Sequence, residues 1–76
     1  MNYVTVPELG EGIKKVIVAH WHVKAGDCVQ EEQDVVELVT DKATFNVPTP
    51  SSGVIQQILV DVGKEAKVGD PLAVIG

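Results

Sequence analysis

Between Asp34 and Pro48 the chain reads Asp34-Val35-Val36-Glu37-Leu38-Val39-Thr40, then Asp41-Lys42, then Ala43-Thr44-Phe45-Asn46-Val47-Pro48. Two apolar, largely β-branched segments flank a pair of polar residues, the pattern of two strands joined by a tight connection. Two-residue hairpin turns favour Asn-Gly or Asp-Gly, because positive φ matches the twist of the strands, and lysine is a poor substitute for glycine there. A type I turn with Asp41 at an early position satisfies the same connection, the carboxylate bonding to nearby backbone N–H groups. Read from the turn alone, Lys42 is a solvated charge at a loop tip.

The bias of this segment extends over the whole chain. Fifteen Val and five Ile stand against four Leu and one Met, a choice that suits a pleated surface better than a helix. Apolar residues alternate rather than recur every three or four positions, as in Ile17, Ala19, Trp21 and Val23 against Val18, His20 and His22. The expected fold class is all-β. Gly and Pro punctuation leaves eight strand windows, near 2–6, 15–23, 28–30, 34–40, 43–48, 54–60, 65–67 and 71–75. Trp21 with Ile17 and Val23, and Phe45 with Val47, are expected to face the core, and Cys28 to be a small, half-buried apolar residue.

An internal repeat organises these strands. Val6-Pro7 followed by Gly12-Ile13 matches Val47-Pro48 followed by Gly53-Val54 at an offset of 41, and Val23, Gly26, Val35 and Leu38 match Val60, Gly63, Leu72 and Ile75 at an offset of 37. Four extra residues are then expected between Ile13 and Val23. Neither half is large enough to close a core by itself, so each buries its apolar face against the other. The expected architecture is a flattened barrel or sandwich of two four-stranded antiparallel sheets with quasi-twofold symmetry, residues 1–76 forming one domain. Its twofold sets the chain termini side by side at one end and the Asp41-Lys42 turn at the other.

Charge and composition exclude several functions. Six lysines, eleven acids and no arginine give a net charge of −5 and remove the bidentate fork on which most nucleic-acid readers depend. No apolar run approaches the length of a membrane span, so neither nucleic acid nor membrane is an expected partner. One cysteine makes no internal disulfide, and His20 and His22 lack a third metal ligand, so they read as surface residues. Ser51-Ser52-Gly53 has no histidine and acid partner at a recognised spacing. Glu31, Glu32, Asp34 and Glu37 read as solvated charge, with steering toward basic partners as the alternative. Gly26 and Gly63 occupy equivalent corners of the two halves.

Leu9-Gly10-Glu11-Gly12-Ile13, Val23-Lys24-Ala25-Gly26-Asp27, Thr40-Asp41-Lys42-Ala43, Val47-Pro48 with Gly53, and Val68-Gly69-Asp70 resemble the lipoyl domain of the dihydrolipoyl acyltransferase component of 2-oxo acid dehydrogenase complexes, a branch of the biotinyl/lipoyl-carrier family. The resemblance covers essentially the whole chain, in order. It implies that Lys42 receives lipoic acid through an amide bond made by a lipoate ligase or lipoyl transferase. It also implies recognition roles for Asp41, Ala43, Thr40, Glu11 and Gly12, the last two in a surface loop near the lysine.

The implied role is carriage rather than catalysis. A swinging arm would move acyl groups and reducing equivalents between a thiamine diphosphate-dependent 2-oxo acid decarboxylase, an acyltransferase catalytic domain and dihydrolipoamide dehydrogenase, the isolated domain being monomeric. The tether makes each transfer effectively intramolecular. Two other readings share the fold. A biotin carrier has methionine on both sides of its lysine, where this chain has Asp41 and Ala43; a non-carrier adaptor leaves the lysine incidental. A glycine-cleavage carrier is a longer chain. By resemblance a linker and a catalytic domain follow residue 76 in a parent acyltransferase, placed in a bacterial cytoplasm or the mitochondrial matrix.

Overall fold

The computed structural model describes residues 2–76. Eight strands follow one another: β1 (Asn2–Thr5), β2 (Lys15–Trp21), β3 (Cys28–Val29), β4 (Asp34–Val39), β5 (Thr44–Pro48), β6 (Gly53–Ile58), β7 (Glu65–Lys67) and β8 (Pro71–Ile75). They form two antiparallel four-stranded sheets, ordered β1-β8-β6-β3 and β5-β4-β2-β7. Replacing each strand of the first sheet by its counterpart four places away in the chain gives the second, so the all-β, two-sheet, quasi-twofold expectation holds. The principal extents of 32 × 20 × 16 Å describe a flattened body.

Strand pairing fixes which residues are equivalent, and it corrects the repeat read from the sequence. Ile17 pairs with Glu65 and Val54 with Cys28, so β2 and β6 are related at an offset of 37, as are β4 and β8. Val4, however, pairs with Ala73, and Val47 with Val36, which relates β1 and β5 at an offset of 43 rather than 41. Gly12-Ile13 is therefore not the counterpart of Gly53-Val54. Nine residues separate Val6 from Val16, but only three separate their counterparts Thr49 and Gly53. The first half carries six extra residues, placed between Val6 and Val16 rather than between Ile13 and Val23 as a whole.

Bulges account for the other departures from simple alternation. In β2 the pairing steps from Val18↔Leu38 to His20↔Glu37, leaving Ala19 as an additional residue; β6 does the same at Gln56. A bulge places one extra residue on its strand and turns the following side chains to the opposite phase. Thus Val16 and Val18 face inward before the bulge, Val23 is buried and Trp21 half-buried after it, and Ile17 faces out, 45% exposed, contrary to the expectation that it belongs to the core. A second symmetric pair of bulges, at Val35 and Leu72, lets consecutive residues Val35-Val36 and Leu72-Ala73 be buried together.

The core between the sheets is aliphatic: Val4, Val18, Val35, Val36, Leu38, Ile55 and Leu72 are wholly enclosed. Each such side chain contributes about 1.5–3 kcal/mol of burial. Thr49, the counterpart of Val6, is also buried, and its hydroxyl is satisfied locally, donating to the Ser51 carbonyl at 2.8 Å. Phe45 and Val47 line the inner face of β5 as expected, whereas Cys28 is exposed, because it lies on the outward side of the two-residue edge strand β3.

The same pairing separates the two ends. Asn2, Cys28, Val54 and Ile75 gather where the chain enters and leaves; Ile17, Val39, Phe45 and Glu65 gather around the β4–β5 hairpin. Gly53 belongs to the first group and has a steric reason to be glycine. A Cβ there would stand 2.8 Å from Ile75 Cγ2 and 3.0 Å from the Gly76 carbonyl oxygen.

Candidate functional site

The hairpin tip is built by Thr40. Its backbone N–H donates to the Ala43 carbonyl at 2.8 Å, and its Oγ1 accepts from the backbone N–H groups of both Lys42 and Ala43, each at 3.1 Å. The same hydroxyl stands 3.3 Å from the Ala43 carbonyl, toward which it donates. A side-chain oxygen thus takes the role that the first backbone carbonyl has in an ordinary β-turn. Neither Asp41 nor Lys42 has positive φ, so the connection is not the Asn-Gly type. The turn-forming hydrogen bonds expected of Asp41 are made by Thr40, and the Asp41 carboxylate is left exposed to solvent.

Lys42 is exposed, as are Asp41, Ala43 and Thr44. Among the described residues the one ion pair within 4.0 Å joins Lys15 and Glu65, at 3.6 Å, so no carboxylate holds the Lys42 ammonium. An exposed side chain at the apex of a braced turn, with no ionic partner among the described residues, is accessible to a modifying enzyme. Acylation of such an amine would cost the fold no salt bridge.

The loop that carries the six extra residues lies against this hairpin. Gly12, Ile13 and Lys14 from the loop, Lys15, Val16 and Ile17 from β2, Val39 through Lys42, and Glu65 together line a groove of about 830 Å³. Gly12 adopts φ +84°, and Ile13 donates its N–H to the Gly10 carbonyl at 3.2 Å, which closes the loop into a turn facing Lys42. Of the residues that the family resemblance singles out, the structure brings Gly12, Thr40 and Asp41 together with Lys42 around one groove; Ala43 and Glu11 are exposed beside it.

Sequence reasoning missed the apolar side of this site. Ile13, Ile17 and Val39 line the groove, and Ile17 stands directly across from Val39 in the β2–β4 pairing. The signal for Ile17 was masked by the bulge at Ala19, which makes a strictly alternating reading assign it to the wrong face. His20 and His22 lie away from the groove: their rings are 5.1 Å apart, and His22 Nε2 is 2.7 Å from Asn46 Oδ1. No group of three potential metal ligands exists among the described residues.

Comparison with known proteins agrees with this geometry. The family model described as "Biotin-requiring enzyme" matches residues 2–75. The chain is 39% identical over 70 residues to the dihydrolipoyllysine-residue acetyltransferase component of the pyruvate dehydrogenase complex of Staphylococcus epidermidis, and 37% identical to that of Staphylococcus aureus. Each match covers 92% of this chain and 16% of the relative, so the chain spans about one sixth of the relatives' length. Among solved structures, the lipoyl domain of the 2-oxoglutarate dehydrogenase complex from Azotobacter vinelandii superimposes with a TM-score of 0.78 at 29% identity, covering 100% of this chain and 96% of that one. Kluyveromyces lactis urea carboxylase shares the fold, with a TM-score of 0.66 at 21% identity over 99% of this chain and 7% of that one. With a braced, exposed lysine at the hairpin opposite its termini and this fold over its full length, the chain belongs to the biotinyl/lipoyl-carrier family.

Proposed function

We propose that the chain is a swinging-arm carrier, lipoylated on Lys42, that moves acyl groups and reducing equivalents between the active sites of a 2-oxo acid dehydrogenase complex. The observation that carries this reading is the exposed Lys42 amine at the apex of a hairpin held by Thr40. Lipoic acid fits this position: an amide at Nζ replaces a solvated ammonium that holds no ion pair, and the arm begins beyond the protein surface. When bound, the group supplies a cyclic disulfide able to accept an acyl group and two electrons, chemistry that belongs to the cofactor.

The protein's own contribution is position and recognition. Thr40 fixes the backbone at Lys42, so that a ligase meets one defined turn rather than a fluctuating loop. Asp41, Ala43, Glu11 and Gly12 present the surface around the amine to the ligase and to the decarboxylase. Lys42 stays outside the sheets, at the end away from Asn2 and Ile75, so the arm is clear of the end where β8 would lead on to the remainder of an acyltransferase chain. In that arrangement the decarboxylase, the acyltransferase catalytic domain and dihydrolipoamide dehydrogenase are visited in turn by one tethered group, whose local concentration the tether sets.

Incubation of the purified domain with lipoate, ATP and a lipoate ligase, followed by intact-mass measurement, tests the reading. One lipoyl group is expected on the wild type and none on Lys42→Arg, which retains the charge but not the acceptor amine. Modification by biotin with a biotin ligase, and none by lipoate, would overturn it.

A further inference from the structure

The groove beside Lys42 has a lining that neither the core nor a charged recognition surface explains. The outer face of the β5-β4-β2-β7 sheet carries Lys15, His20, Glu37, Asn46 and Glu65, as a solvated sheet face should. Ile17 and Val39 are aliphatic on that same face, paired directly across β2 and β4, and both line the groove. A lone exposed isoleucine would be unremarkable. Here it forms part of a concave apolar surface, closed on another side by Ile13, within a wall that includes Lys42.

The groove is also a property of one end only. Ile13 lies in the β1–β2 loop, which is six residues longer than the connection between β5 and β6. At the equivalent place in the other half, Val54 pairs with Cys28 and exchanges backbone hydrogen bonds of 3.0 Å with Gly76. The twofold is therefore broken where the modifiable lysine stands: the loop adds Gly12, Ile13 and Lys14 to the groove, and Ile13 gives it a third aliphatic side chain beside Ile17 and Val39. An occupant suited to this wall is uncharged, apolar and reachable from Lys42 without leaving its own surface.

Resting on the carrier reading above, we propose that the groove lined by Ile13, Ile17 and Val39 is a seat for the dithiolane ring attached through Lys42, so that the arm divides its time between a seated and a swung-out position. An aliphatic stem and a polarizable disulfide ring gain contact and lose water against these three side chains. Because Lys42 is itself in the wall, the seat is filled by folding the arm back over its own hairpin. The seated arm keeps its ring away from solvent thiols between visits to partner sites.

The test compares unmodified and lipoylated domain by NMR, with intact mass confirming one lipoyl group on the sample. Seating predicts methyl chemical-shift changes at Ile13, Ile17 and Val39, and nuclear Overhauser contacts from the ring protons of the arm to those methyls. Ile17→Thr keeps a β-branched residue at an exposed strand position; its amide spectrum should show the fold intact, while the contacts at Ile13 and Val39 are lost. Shift changes confined to residues 41–43 in the lipoylated wild type, or contacts undiminished in Ile17→Thr, would overturn the seat while leaving the carrier reading standing. A sample that accepts no lipoyl group would instead overturn the carrier reading, and the seat with it.

Discussion

Replacing Thr40 by valine isolates the hydroxyl that organises the hairpin, since valine preserves the β-branch and nearly the volume. The substitution removes the acceptor for the Lys42 and Ala43 N–H groups, both at 3.1 Å, and leaves the 2.8 Å backbone bond from Thr40 to the Ala43 carbonyl in place. Two ordinary hydrogen bonds would contribute about 1–3 kcal/mol together. The turn is open to solvent, so water recovers part of that, and the expected loss is about 1 kcal/mol. For a domain of this size such a loss lowers the melting temperature by about 4–8 °C. Thermal unfolding followed by far-ultraviolet circular dichroism measures it, and hydrogen exchange localises it: the Lys42 and Ala43 amides should exchange faster while core amides of β4 shift only with global stability. Thr40→Ser should restore most of both. The rate of lipoylation at Lys42 should fall in Thr40→Val and recover in Thr40→Ser. An unchanged melting temperature together with an unchanged lipoylation rate would refute the claim that this hydroxyl presents the lysine.

Three further substitutions probe the frame behind the site. Gly53→Ala places a methyl 2.8 Å from Ile75 Cγ2 and 3.0 Å from the Gly76 carbonyl; it should destabilise by about 1–3 kcal/mol in urea titration, and wild-type stability would contradict the packing at the terminal end. Glu32 is the one non-glycine with positive φ among the described residues, at 70°, and its counterpart in the other half is Gly69, at 91°. Relief of left-handed strain, about 1–2 kcal/mol, outweighs the added flexibility of glycine, about 0.5–1 kcal/mol, so Glu32→Gly should raise the melting temperature; a lower one would contradict this balance. Trp21→Phe deletes the indole N–H that donates to the Val60 carbonyl at 2.9 Å, and should cost about 1 kcal/mol in chemical unfolding, whereas no loss would show that bond to be dispensable.

Much of this fold is readable from residue order, for reasons that are physical. Valine and isoleucine between glycine and proline stops define eight windows, and the observed strand bounds differ from them by at most two residues. The repeat is legible because equivalent corners need the same backbone freedom: Gly26 and Gly63 have φ of 95° and 88°, and donate to the Ile55 and Val18 carbonyls, which are themselves equivalent. Its true register is not legible. The coincidence of Val-Pro in both halves attracts an alignment at 41, while hydrogen-bond pairing requires 43 for β1 and β5.

At the site, the exposed position of Lys42 at the hairpin tip is legible in the sequence, but the groove beside it is not. A bulge adds a residue without any compositional mark, so Ala19 passes as an ordinary member of an alternating strand and carries Ile17 to the wrong face. The exchange of roles between Asp41 and Thr40 has a similar origin. Both side chains can accept from backbone N–H groups two and three residues onward, and only the position of the turn decides which one does. Cys28 is misjudged as half-buried because its strand has only two residues at a sheet edge, too short for alternation to report a face.

The central claim is that one amine, Lys42 Nζ, is presented for acylation by lipoate. Peptide mapping by mass spectrometry after enzymatic lipoylation of the wild-type domain tests it most directly. The account predicts a single modified peptide containing Lys42, with Lys14, Lys15, Lys24, Lys64 and Lys67 unmodified; a lipoyl group on any of those five, or none anywhere under conditions that load a control lipoyl domain, would contradict it.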